Sequence, residues 1–246
     1  MNTNIAILLT ACVNPEGMIY TKLQDPEIRK QHYLESLKFY IEKTVYKIVL
    51  IENSLYPLEN EIRKYIDSGR LEYMTFDGNN FDKIKGKGYG EGLIIKYALE
   101  NSAFIKKTDY IIKITGRLII KNINKLIWSS FLFYSKKQEY VFTDDILYNG
   151  QYILIRSEFI IASKKFYSNY LLTNTSMIND SKGIIFERIL VNSIISWKKD
   201  GYRHRLLMFP VFRQGISGGH LTEYKPPTFR DRIDSLRNSF SSIIGK

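Results

Sequence analysis

The chain is poor in the residues that carry several common chemistries: its 246 residues include one cysteine, two tryptophans and three histidines. A lone Cys12 excludes an internal disulfide framework and any cysteine-based zinc cluster, and the histidines show no His-x-x-x-His or Cys/His spacing. So little cysteine fits a reducing, cytoplasmic setting. There is no Gly-x-Ser-x-Gly elbow for a serine hydrolase, no phosphate loop ending in Gly-Lys-Ser/Thr, and no RRM or KH signature. No apolar run approaches the roughly 20 residues of a spanning helix. "IAILLTACV" lacks the basic flank and small-residue cleavage site of a secretory signal, so it reads as a first core strand. Internal repeats are absent, as is any linker rich in Pro, Gly or Ser.

What is there is a globular balance, 44% hydrophobic and 25% charged residues, enough for a substantial core. The formal charge of +11 favours an anionic partner: nucleic acid, an acidic membrane face or a phosphorylated small molecule. The basic residues are spread along the chain, so nucleic acid is not the expected one.

"NIAILLTACVNP" is a β-type run stopped by Asn14-Pro15, which delivers Thr10, Ala11 and Cys12 to a loop. A helix follows, with Asp25 as N-cap, Pro26 at its first position and Glu27 in its first turn. "YKIVLIENS" is a second buried strand ending on Glu52, Asn53 and Ser54. Next come a helical stretch from Pro57, a strand in "GRLEYMTF", a helix in "GEGLIIKYALENS" behind a glycine-rich loop, and a fourth strand in "DYIIKITG". This alternation predicts a single α/β domain with a central, mostly parallel sheet flanked by helices, binding its ligand beyond the carboxyl ends of the strands. Thr10, Glu52 and Asn53 would then share one crevice with Thr115, Gly116 and Arg117.

Beyond Lys121 the pattern predicts a helix in "INKLIWSSFLFYSK", one strand each in "EYVFTDD" and "QYILIRSEFIIAS", and helices in "KKFYSNYLL" and "IIFERILVNSIISWKK". The domain is expected to span residues 1–225. After Pro226-Pro227, residues 226–246 read as an amphipathic basic helix, with Phe229, Ile233, Leu236, Phe240, Ile243 and Ile244 beside Arg230, Arg232 and Arg237. Such a helix over 228–246 either lies peripherally on an anionic inner-membrane face or packs on its own domain or on a partner.

Candidate chemistry is scattered. "KGKGYGEG" from Lys85 to Gly92 is either a phosphate cradle, in which Lys85 and Lys87 add charge, or a solvated loop before a helix. Asp144-Asp145 could offer oxygen ligands to a divalent cation, or close a turn. Glu187, near the start of an apolar helix, is either a general base or an ion-pair partner. His32 and His204 are expected at the surface. His220 follows the glycine-rich turn "RQGISGG" and either folds over a ligand or is a plain loop residue.

Taken in order, "ACVNP", "IENS", "GKGYGE" and "YIIKITGR", then a glutamate-bearing helix and a late glycine-histidine turn, resemble bacterial GT-A-type glycosyltransferases of capsule or lipopolysaccharide biosynthesis, over residues 4 to 222. The resemblance implies a GT-A-like (Rossmann-like) fold, a nucleotide-sugar donor and a glycan or lipid-linked acceptor. It sets Thr10, Ala11, Glu52 and Asn53 near the nucleotide, Glu187 at the acceptor-side base position, and His220 near the diphosphate. Most such enzymes end the fourth strand in a metal-binding Asp-x-Asp, where this chain has Lys113-Ile114-Thr115-Gly116-Arg117. Arg117 would instead hold phosphate, with Thr115 and the Gly116 N–H as lesser donors and His220, Lys87 and Arg213 as further cations. No cofactor is then required, although Mn or Mg could still bind if Asp144 and Asp145 supply the site. Asp144 and Asp145 also rank behind Glu187 as candidate bases. The expected activity is an inverting glycosyl transfer to a surface glycan. Two other readings stay open: a nucleotidyltransferase, for which "TACVNPEGMIYTK" is a poor nucleotide loop, and a non-catalytic basic module on membrane or nucleic acid.

Overall fold

The computed structural model describes residues 3–132, 135, 137–144, 146–149, 152–219 and 221–244. The candidates Asp145 and His220 lie outside them. The first half of the chain runs β1 (Ile5–Ala11), α1 (Pro26–Lys43), β2 (Lys47–Glu52), α2 (Glu59–Asp67), β3 (Leu71–Thr75), α3 (Lys87–Asn101), α4 (Ala103–Lys106), β4 (Tyr110–Thr115). The second half continues β5 (Ile119–Ile120), α5 (Ile123–Leu132), β6 (Tyr140–Thr143), β7 (Ile146–Asn149), β8 (Tyr152–Ile155), β9 (Phe159–Ser163), α6 (Lys164–Phe166), α7 (Phe186–Lys199), β10 (Arg203–Leu206), β11 (Arg213–Gln214) and α8 (Phe229–Ile244).

Seven strands form one sheet in the order β10-β6-β9-β4-β1-β2-β3. All neighbours pair in parallel except β9, which is antiparallel to β4 and β6. Both faces are covered, as the near-continuous apolar strands require. Side chains alternate across the sheet: Ile7 and Leu9 of β1 join a core with Leu37 and Tyr40 of α1 and Leu126 of α5. Ala6 and Leu8 join another with Ile95 of α3 and Leu190 and Trp197 of α7. At the head of α1, the Asp25 carboxylate accepts from the Glu27 and Ile28 N–H groups at 2.9 and 3.1 Å, the expected cap.

Three local expectations are corrected. "QYILIRSEFIIAS" is two strands, β8 in a hairpin with β7 and β9 in the main sheet, because Arg156-Ser157-Glu158 turns out toward the strand ends between them. "KGKGYGEG" is not a loop: α3 begins at Lys87, and its glycines make room for packed neighbours. A Cβ at Gly88 or Gly92 would sit 3.0 Å from Phe186 or Thr175. His204, too, is half-buried in β10, with Nε2 2.8 Å from Thr143 Oγ1, rather than free at the surface.

β2 ends on Glu52, which has no exposed surface. Its carboxylate accepts from the N–H groups of Val13, Ser54 and Tyr56 at 2.9–3.0 Å and from Thr75 Oγ1 at 3.0 Å, and the Ser54 hydroxyl also donates to it. It fastens the exits of β1 and β2 to β3. Removing it orphans several buried donors at about 1–3 kcal/mol each. Glu52→Ala is therefore expected to lower unfolding free energy by about 3 kcal/mol or more, read from the urea midpoint.

Candidate functional site

The carboxyl ends of β1, β2 and β4 open into a cleft of about 860 Å³. Its walls come from the β1–α1 loop, the first turns of α3 and α7, and a strap over residues 216–219. Thr10, Ala11, Asn53 and Thr115 border it from the strand ends. Lys87, Arg117 and Glu187 enter from the sides, so these seven sequence candidates converge.

The remaining described candidates are placed elsewhere. Glu52 is committed to the loops beneath the cleft and does not line it. Gly116 is buried and its N–H donates to Thr10 O at 2.9 Å, so the expected phosphate donor is already occupied. A Cβ there would stand 2.7 Å from Thr10 O, which is why the position needs glycine. Asp144 and Arg213, a candidate acid and a candidate phosphate cation, are buried as an ion pair with each other. Mutual neutralisation lets both charges leave water, and neither lines the cleft.

One end of the cleft is cationic. Arg117 Nη1 donates to Ile216 O at 3.1 Å. A Cβ at Gly218 would fall 2.5 Å from Arg117 Nη2, and one at Gly219 would fall 3.2 Å from Lys87 Nζ. The strap is glycine where it presses on these cations. The N–H groups of Lys22 and Leu23 donate to Gly218 O at 2.8 and 3.2 Å, tying the strap to the β1–α1 loop.

The floor is acidic. Glu91 lines it from α3, pairs with Lys113, and accepts from Thr10 Oγ1 at 3.1 Å. Ser157 Oγ donates to Glu187 Oε1 at 2.7 Å, aiming that carboxylate. Glu158 would be raised by burial, but Arg213, Arg156 and Lys113 hold it below the usual carboxylate range. Burial, then Glu187, pushes Asp180 up to about 6, against the opposing pull of Lys87 and of the Gly88 and Lys87 backbone N–H groups. The head of α3, for which a phosphate cradle is one of two readings, has the Asp180 carboxylate beside it: a Cβ at Gly86 would fall 2.0 Å from Asp180 Oδ2. Burial also pushes the Cys12 thiol up to about 11, so this cleft-lining cysteine stays protonated.

A divalent cation needs a cage of hard oxygen ligands. The end of β4 offers Thr115 and a guanidinium, and Asp144 is held by Arg213. Among the described residues no three His, Cys, Asp or Glu converge on a metal position. The described residues there do not make such a cage.

Glu91, Lys113, Ser157 and Asp180 were not singled out from sequence. Lys113 carried a usable signal: a lysine inside "YIIKIT", in a strand covered on both faces, must find a buried acid. Asp180 carried none, since it reaches the site only through the 3-10 turn Asp180–Lys182.

No protein-family model matches the chain, and no curated protein sequence matches it. Among solved structures it is similar to core-mannan synthase A from Aspergillus fumigatus, in an Mn/GDP form, with a TM-score of 0.50 and 10% identity over 99% of this chain and 86% of that one. It also matches a glycosyltransferase involved in the glycosylation of the major capsid of PBCV-1 (TM-score 0.49, 16% identity, 82% and 80% covered). A third match is the inositol-1-phosphate CTP transferase from T. maritima (TM-score 0.47, 13% identity, 84% and 86% covered). At such identities the likeness is one of fold, and the fold is GT-A-like.

Asp180 gives a test of this local electrostatics. Its folded-state value near 6 lies above the ordinary 3.8, so its ionisation weakens the folded state as pH rises between them. Asp180→Asn is expected to melt close to wild type at pH 4 and progressively above it by pH 7, as differential scanning fluorimetry would show.

Proposed function

We propose that the chain is a nucleotide-sugar-dependent glycosyltransferase, moving a glycosyl group from its diphosphate carrier to a hydroxyl of a glycan or lipid-linked acceptor. The observation that carries this reading is a single cleft with Arg117 and Lys87 at one end and Glu187 beside an acidic floor. The fold shared with core-mannan synthase A, solved in an Mn/GDP form, supports a nucleotide donor. As the sequence resemblance implies, the acceptor is a growing bacterial surface glycan, of capsule or lipopolysaccharide. α8 supports a peripheral position at an anionic membrane. It packs on β10 with Ser235 and Ser239 buried, while Phe229 and Ile233 stay exposed beside Arg230 and Arg232. Among the described residues no helix is long and apolar enough to cross a membrane.

In this reaction the acceptor oxygen bonds to the anomeric carbon as its proton passes to Glu187. The anomeric C–O bond to diphosphate breaks, and its electron pair leaves on the diphosphate, which faces Arg117 and Lys87. Attack opposite the leaving group inverts the anomeric centre. The Ser157 hydroxyl keeps Glu187 oriented for the acceptor.

A thermal-shift screen with UDP, GDP, CMP and dTDP sugars, against CTP, tests the donor class, since a ligand of the native state raises its melting point. With the donor found, Glu187→Gln and Arg117→Ala are each expected to lower turnover by about 100-fold or more while the melting point holds. A mild effect at Glu187 moves the base elsewhere. Because Arg117 and Lys87 meet the diphosphate charge, EDTA is expected to leave turnover unchanged. Complete inhibition with recovery on adding manganese would show that a metal is required.

A further inference from the structure

We infer that Glu91 selects the donor's glycosyl group, accepting hydrogen bonds from the hydroxyls of a neutral sugar and excluding a uronate. This rests on the glycosyl-transfer reading above and refines its donor. Glu91 lies one helical turn beyond Lys87 on the same face of α3, about 6 Å further along the axis. Its Oε1 accepts from Thr10 Oγ1 at 3.1 Å and pairs with Lys113 Nζ. Lys113 has no exposed surface; Nζ donates to Ser157 O at 2.6 Å and sits 5.7 Å from the ring centre of Phe186. One oxygen of Glu91 is therefore pinned between a hydroxyl and a buried ammonium. Oε2, without a hydrogen-bond partner among the described residues, is left to the cleft, where the side chain keeps 17% of its surface exposed.

A carboxylate oxygen only accepts hydrogen bonds. A diphosphate held by Arg117 and Lys87 brings its glycosyl group over this floor, which Glu91, Asp180 and Glu187 all line. Sugar hydroxyls can donate to Oε2. A sugar carboxylate meets like charge at Glu91, Asp180 and Glu187, which is discrimination by repulsion.

The experiment compares matched donors: UDP-glucose with UDP-glucuronate, GDP-mannose with GDP-mannuronate, and dTDP-glucose with dTDP-glucuronate, with UDP, GDP and dTDP as sugar-free controls. For the nucleotide that binds, the neutral sugar is expected to be favoured at least about tenfold in kcat/KM. Glu91→Gln is expected to bring that ratio to about one while affinity for the free nucleoside diphosphate holds. Glu91→Gln leaves Lys113 unpaired. If it does not fold, the double variant Glu91→Gln/Lys113→Met, which removes both charges, is measured in its place. A uronate used as well as its neutral counterpart, a ratio that survives substitution, or use of CMP-sialate alone overturns the role of Glu91 and leaves glycosyl transfer standing. Silence with every sugar nucleotide overturns both.

Discussion

A charged amine with no exposed surface sits in the middle of the central strand, and the architecture around the cleft follows from keeping it satisfied. Lys113 of β4 is flanked in the sheet by Leu8 of β1 and Ile160 of β9, both fully buried. An unpaired ammonium there would cost several kcal/mol. Glu91 must face it, which sets the rotation of α3, and Ser157 O must reach it, which sets the break between β8 and β9. α3 comes close enough because Gly88 and Gly92 present no side chain to Phe186 and Thr175. The ion pair that makes the core tolerable is also the floor of the cleft.

The basic character of the chain is divided among unlike tasks. Arg213 is buried against Asp144. Arg29 clamps the β1–α1 loop, donating to Cys12 O at 2.8 Å and to Leu23 O at 3.1 Å. Arg70 closes the edge near α1, donating to Thr44 O at 2.7 Å. Arg117 and Lys87 are cations that the fold turns toward the cleft, under a strap whose glycines let it lie against them. Net charge therefore pointed to an anionic partner without indicating which cations would meet it.

The parts of the site that were legible in sequence sit at strand ends. Thr10, Asn53, Thr115 and Arg117 follow apolar runs by one to three residues, and parallel strands in register bring such ends to one edge. Glu52 and Gly116 obey the same rule and still fall away from the cleft: one carboxylate is consumed by loop N–H groups and one amide by Thr10 O. A residue's position along a strand sets its neighbourhood, but its hydrogen-bond partners decide whether it is free to meet a ligand.

Periodicity and capping chemistry were enough to determine the parallel sheet, the Asp25 cap of α1, the helix bearing Glu187 and the closing helix over 229–244, because these depend on residues close in the chain. The tertiary structure alone decided that Lys113 would pair with Glu91, 22 positions away, that Asp180 would lie against Gly86 at the head of α3, and that Asp144 would neutralise Arg213. A buried charge takes whichever opposite charge the packing brings within a few ångströms, and nothing in the local sequence encodes that distance.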